Sequence, residues 1–208
     1  CETGAVLGEA FGEAAVRLGR GADLVGSHGQ TVWHVPGRAS LQIGDPSIVA
    51  ARSGLPVVAD FRPADIAAGG QGAPLVPYAD RMFFARPGKS VAVLNIGGIA
   101  NVTWLDARGR VTAFDTGPGN CLLDAASRQF LGKPFDRAGA AARRGKCDME
   151  LLEKWLKHPW FAKAPPKSTG RELFSDDWIP KKGRAADVLA TLTRLTTITL
   201  ASHVLACG

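Results

Sequence analysis

Apolar positions first recur at helical spacing over residues 3–20, where Leu7, Phe11, Ala14, Ala15 and Leu18 share one face. Short β-rich runs follow at Leu24–Ser27, Thr31–His34, Leu41–Gly44 and Leu55–Ala59, broken by Pro36-Gly37 and other turn residues. Asp45-Pro46 predicts the start of a helix over Ile48–Ser53, with Asp45 as cap and Pro46 in the first turn. A Gly-rich turn and a short helix occupy residues 65–88, and Arg86-Pro87-Gly88-Lys89 reads as a domain boundary and hinge. Beyond it, strands are expected at Val91–Leu94, Ile99–Trp104 and Val111–Phe114. Helices then dominate, at about 120–131, 149–156 and 185–200. In the last of these Val188, Leu192, Leu195 and Thr199 fall on one face. The order implies an α/β protein with more than one sheet, divided into domains 1–88 and 89–208.

Composition narrows the class. The 208 residues are 46% hydrophobic and 21% charged, which excludes a disordered chain or a coiled coil. Only 7% are aromatic, which argues against a surface that stacks single-stranded nucleic acid. The net charge of +6 arises wholly after residue 104, where 17 basic residues face 11 acidic ones. No nucleic-acid reader motif accompanies that excess, so no nucleic-acid partner is expected. Its densest group, Arg137, Arg143, Arg144 and Lys146, is a solvated face or an attractor of anions. The apolar run Val188–Cys207 carries Arg194, His203 and five Thr, so no membrane partner is expected either. Four scattered cysteines, Cys1, Cys121, Cys147 and Cys207, read as reduced thiols of a cytoplasmic protein. A start at Cys1 rather than Met suggests a piece of something longer.

Several segments have chemistry to offer. Paired glycines in Asn95-Ile96-Gly97-Gly98-Ile99-Ala100-Asn101 form either an ordinary hairpin turn or a cradle of backbone N–H groups for phosphate. Asp115-Thr116-Gly117-Pro118-Gly119-Asn120 ends a strand and opens a helix, which suits an anion at the helix N-terminus or plain capping. Neither segment is a Walker loop or a dinucleotide fingerprint. Asp60 stands at the C-terminal end of an apolar strand, where α/β enzymes place reactive groups, and Arg62 follows it. That pair is a base with its orienting partner, or a structural ion pair. His28 and His34 lack a third metal ligand, so no metal site is expected there. Gln30, Thr31 and Gln71 lie beside glycines, as sugar-binding or turn residues do. No G-x-S-x-G elbow is present, which removes the serine-hydrolase class.

Taken in order, GSHGQTVWH (26–34), LQIGDPSIVA (41–50), VVADFRPADIAAGGQGAPLVPYAD (57–80), LNIGGIANVTWL (94–105), FDTGPGNCLLDA (114–125) and PPKSTGRELF (165–174) resemble the anhydro-N-acetylmuramic acid kinase family. The resemblance implies the two-domain, actin-like (ribonuclease-H-like) ATPase fold. It also implies ATP with Mg²⁺, a small sugar substrate, and the opening and phosphorylation of a 1,6-anhydro sugar in peptidoglycan recycling. Asp60 is then the general base. Arg62, Gly70, Gln71, Asp115 and Asn120 lie toward the sugar, with Asp115 and Asn120 reaching sugar or metal. Gly97, Gly98, Asn101, Gly117 and Gly119 lie toward the phosphates. A homodimer is one open option. Two departures stand out: residues 1–25 contain no GTS-x-DG phosphate loop, and the chain ends at Leu205-Ala206-Cys207-Gly208, where the family continues into an adenosine-contacting turn. The resemblance therefore describes a central stretch truncated at both ends. A kinase of another amino-sugar and a non-catalytic sugar- or nucleotide-binding module are the competing readings.

Overall fold

The computed structural model describes all 208 residues, Cys1–Gly208, as two compact units, Cys1–Leu75 and Val76–Gly208. The first unit opens with α1 (Glu2–Leu18), then β1 (Val25–Gly26), β2 (Gln30–Val35) and β3 (Ala39–Ile43). It continues with α2 (Pro46–Ser53), β4 (Val57–Val58) and α3 (Phe61–Ala67). β1 pairs in parallel with β4, and β2 pairs antiparallel with β3. Asp45 caps α2 through Ser47 N (2.8 Å), with Pro46 in the first turn as the sequence predicts.

α1 keeps part of its expected apolar face: Leu7, Phe11 and Ala15 are half-buried, while Ala14 and Leu18 are exposed. Its buried residues are Gly8 and Gly12, whereas Leu18 is 85% exposed. A Cβ on Gly8 would stand 2.9 Å from the Asp45 carbonyl, and one on Gly12 would stand 2.6 Å from the Arg52 Cβ. The two glycines, spaced i and i+4, let α2 approach α1 closely. Val49 is the one completely buried apolar side chain of this unit.

The second unit holds α4 (Val76–Phe84) and the antiparallel meander β5 (Val91–Ile96), β6 (Ile99–Leu105) and β7 (Val111–Pro118). Helices α5 (Cys121–Leu131), α6 (Met149–Leu156) and α7 (Ala185–Leu205) complete it. Because α4 packs on the meander, the division between units falls before Val76 rather than at Arg86–Lys89. Arg86–Lys89 is instead a tight turn within the second unit, closed by Lys89 N donating to Arg86 O (3.1 Å).

β7 outruns its predicted end at Phe114 and includes Asp115-Thr116-Gly117-Pro118. Gly and Pro are tolerated there because β7 is an edge strand of the meander and its register shifts between Ala100 and Asn101. Thr116 is the extra residue of that bulge, and it is buried with its hydroxyl on the Ala100 carbonyl (3.1 Å).

The core lies among α5, α6, α7 and the segment 160–179. Leu122, Leu152, Leu189, Leu192 and Leu195 are buried there, with edge-on aromatic contacts among Trp160, Phe161, Phe174 and Trp178. Val188, Leu192, Leu195 and Thr199 of α7 all face inward, as their spacing predicts. By length and composition alone α7 is apolar enough to cross a membrane, but seven of its residues are buried in this unit, as in a core helix. Leu195→Ala is expected to cost about 2–5 kcal/mol by leaving a cavity. A lowered urea midpoint with unchanged slope would report it.

Candidate functional site

In the first unit the chain leaves β1 and β4 at the same end of their parallel pair, joined by Ser27 N donating to Val58 O (2.8 Å). Side chains just beyond two parallel strands converge at their C-terminal ends. Beyond β4 comes Asp60, at the cap position of α3, with φ 57° and ψ 36°. It is one of two non-glycine residues in the left-handed region, a conformation Asp tolerates better than most. Its exposed carboxylate caps no N–H of α3 and joins no ion pair. The Asp60–Arg62 pair that the sequence allows does not form.

Arg62 turns instead to His28, beyond β1: its Nε donates to His28 Nε2 at 2.9 Å. His28 Nδ1 lies 2.9 Å from the Gly29 carbonyl. A carbonyl only accepts and Arg Nε only donates, so His28 is the neutral Nδ1–H tautomer in this arrangement. His34 serves elsewhere, with Nδ1 3.1 Å from Ser40 Oγ.

At the other end of α3, about 10 Å away by helix length, lies the glycine loop. Asp65 braces it: Oδ2 accepts from Gly72 N (2.8 Å), and its carbonyl accepts from Gly70 N (2.8 Å). Gln71 O accepts from Gly37 N (3.1 Å), which ties the loop to the β2–β3 turn. The Gln71 side chain is exposed, while Gly70 lies against the Asp65 carboxylate. Sequence reasoning missed Asp65, because an Asp seven residues before a glycine looks like the solvated face of a helix.

In the second unit the Gly97–Gly98 turn and the N-terminus of α5 hold each other. Gly119 N and Cys121 N donate to Gly98 O (2.9 and 3.1 Å), and Asn120 N donates to Gly97 O (2.8 Å). Asn120 Nδ2 adds a bond to Ile96 O (3.0 Å). These N–H groups, which the sequence suggests for an anion, are therefore engaged by the hairpin. Gly119 is buried, and a Cβ there would collide with Gly97 O. Gly117 is also buried (φ 140°), and a Cβ on it would meet Phe161 at 2.9 Å. Both glycines serve close packing, not an open phosphate surface. Gly97 and Gly98 differ, because neither donates its own N–H to another protein group.

The bulge at Thr116 aligns Asp115 opposite Asn101, and Asn101 in turn opposite Asn95. Cross-strand partners share a face, so these three make a polar row beside the glycine turn. Asp115 Oδ2 accepts from Thr169 N (2.8 Å), and Asp115 N donates to Lys167 O (2.9 Å). Burial pushes the Asp115 carboxyl above the ordinary carboxylate value, with the Thr169 bond opposing. Lys167 is itself buried, with Nζ on the carbonyls of Trp160 (3.3 Å) and Phe161 (3.0 Å) and 4.4 Å from the Trp160 ring centroid. Burial, then Lys163, lowers its pKa.

A carboxyl whose folded pKa is raised favours the folded state when protonated. Its contribution is full below the ordinary carboxylate range and fades as pH rises through the raised value. Asp115→Ala, which strips the Thr169 N–H of its acceptor, should cost about 1–3 kcal/mol. Asp115→Asn keeps an acceptor and sheds the burial penalty, so its stability relative to wild type should improve between acid and neutral pH. Urea melts across that range check both.

The family model for anhydro-N-acetylmuramic acid kinase matches residues 9–208. A protein of that name from Shewanella baltica (strain OS155) is 54% identical over 162 residues, covering 76% of this chain and 44% of the relative. One from Shewanella halifaxensis is 50% identical over 191 residues, covering 87% and 52%. One from Caldanaerobacter subterraneus subsp. tengcongensis is 43% identical over 225 residues, covering 94% and 57%. The chain thus spans about half the length of the curated relatives it matches. Matched from residue 9 to its last residue, the chain belongs to the anhydro-N-acetylmuramic acid kinase family.

Proposed function

We propose that the protein is an ATP-dependent kinase that opens 1,6-anhydro-N-acetylmuramic acid with water and phosphorylates the freed 6-hydroxyl, in cytoplasmic peptidoglycan recycling. The observation that carries this reading is Asp60, an exposed carboxylate without a protein partner, held in a fixed backbone conformation beyond two parallel strands. The two-domain actin-like fold belongs to the same proposal, supported by the mixed α/β build of the two units and the family match.

Asp60 takes a proton from water as the water oxygen bonds to the anomeric carbon. The anomeric bond to the bridging oxygen breaks, and that oxygen, now O6, bonds to the γ-phosphorus as ADP leaves. A positioned base supplies about 10²–10⁴-fold of the rate. Arg62, oriented by His28, presents its outer nitrogens toward sugar or anion, and Gly70 and Gln71 offer polar groups for sugar hydroxyls. The free N–H groups of Gly97 and Gly98 suit phosphate oxygens, with Asn101 beside them.

No three His, Cys, Asp or Glu residues come together to hold a metal. Mg²⁺ bound to a triphosphate needs only one or two carboxylates, and Asp115, with Oδ2 engaged and Oδ1 unassigned, fits that need. The ion would neutralise charge on the transferred phosphoryl group.

Asp60→Asn in the full-length gene product should keep its fold by circular dichroism. It should form phosphorylated sugar from 1,6-anhydro-N-acetylmuramic acid and ATP at least about 10²-fold more slowly. Undiminished turnover would remove Asp60 from the reaction, and a wild type without product would refute the kinase reading.

A further inference from the structure

The PPKSTGRELF segment carries a second cation besides Lys167. Arg171 lies against the glycine turn: a Cβ on Gly98 would stand 3.4 Å from its Nη2 and 3.6 Å from its Nε. We propose that Arg171 is a phosphate-contacting residue, its guanidinium acting beside the free Gly97 and Gly98 N–H groups on the terminal phosphates of ATP. This rests on the kinase reading and adds a residue to it.

Three observations support the assignment. Arg171 is exposed and makes no ion pair, so its planar donor fork is available for an oxyanion. Its backbone is pinned on both sides: Thr169 N is bonded to Asp115, and Phe174, 2% exposed, closes a turn with its N–H on Gly170 O (3.2 Å). The carbonyls of Gly97 and Gly98 are turned into α5, which leaves the N–H groups as the free donors of that turn. A cation, two unengaged N–H donors and a rigid support form the usual elements of phosphate recognition.

The charge distribution also bears on where the anion sits. A cavity of about 380 Å³ beside Arg171 is lined by Arg128 but also by Asp124, Asp176 and Asp177. Three carboxylates against two guanidinium groups disfavour an anion inside it. The atoms nearest Gly98 belong to Arg171 and Cys121, with no carboxylate among them, so the phosphates are assigned to the glycine turn rather than to the cavity.

The test uses Arg171→Gln and Arg171→Lys in the full-length gene product, with folding checked by thermal denaturation. Losing a charge-assisted bond is expected to raise the ATP KM by about tenfold to a hundredfold in Arg171→Gln. Arg171→Lys, which keeps charge without the fork, should fall between, and the sugar KM should stay within about twofold of wild type. Calorimetric titration with inorganic tripolyphosphate should show parallel weakening. An active wild type whose Arg171 variants keep their ATP KM and tripolyphosphate affinity overturns the assignment and leaves the kinase reading intact. A wild type that makes no phosphorylated sugar yet binds tripolyphosphate through Arg171 overturns the kinase reading and supports the anion role.

Discussion

The mutual docking of the Gly97–Gly98 turn and the N-terminus of α5 is the contact on which the second unit depends. Three backbone N–H groups meet two carbonyls across it, and Asn120 adds a fourth bond from its side chain. The exchange satisfies helix donors that would otherwise need solvent, and it anchors the meander to the helix that opens the core. It also decides polarity. With the carbonyls turned inward, the two glycine N–H groups remain as the open edge of the turn. The requirement falls on Gly119, where any Cβ would collide with the Gly97 carbonyl. A helix N-terminus that looks free in the sequence is thereby engaged as a support for the glycine turn.

The first unit uses a different economy of parts. It has almost no buried apolar side chains, and backbone proximity and polar braces define its shape. Gly8 and Gly12 bring α1 onto α2, Asp65 holds the glycine loop, and His28 holds Arg62. Asp60 is the exception. Its backbone is specified by the strand-to-helix turn, but its carboxylate is left unengaged. Backbone fixed and side chain free is the state expected of a group that must meet water and substrate.

What was legible in the sequence was local. Asp45-Pro46 sets the start of α2, the paired glycines set the β5–β6 turn, and the inward face of α7 follows from its periodicity. Features set by distant partners were not legible. Thr116 is a bulge only because β6 lies alongside, so Gly117 and Pro118 read as the end of a strand that in fact continues. Gly117 and Gly119 read as phosphate contacts because glycine in a loop has two meanings, open approach and tight packing, and only their neighbours show which applies. Asp65 and Arg171 carried no signal of their own: each matters through a glycine seven residues or more than seventy residues away in the chain.

The orientation of the glycine turn is the claim most directly open to measurement. ¹H–¹⁵N spectra of the protein, titrated with ATP and Mg²⁺, would follow the backbone amides one by one. The Gly97 and Gly98 amides are expected to shift strongly, while those of Gly119, Asn120 and Cys121 stay near their starting positions because the hairpin carbonyls already hold them. Shifts confined to Gly119, Asn120 and Cys121, with Gly97 and Gly98 unmoved, would contradict it.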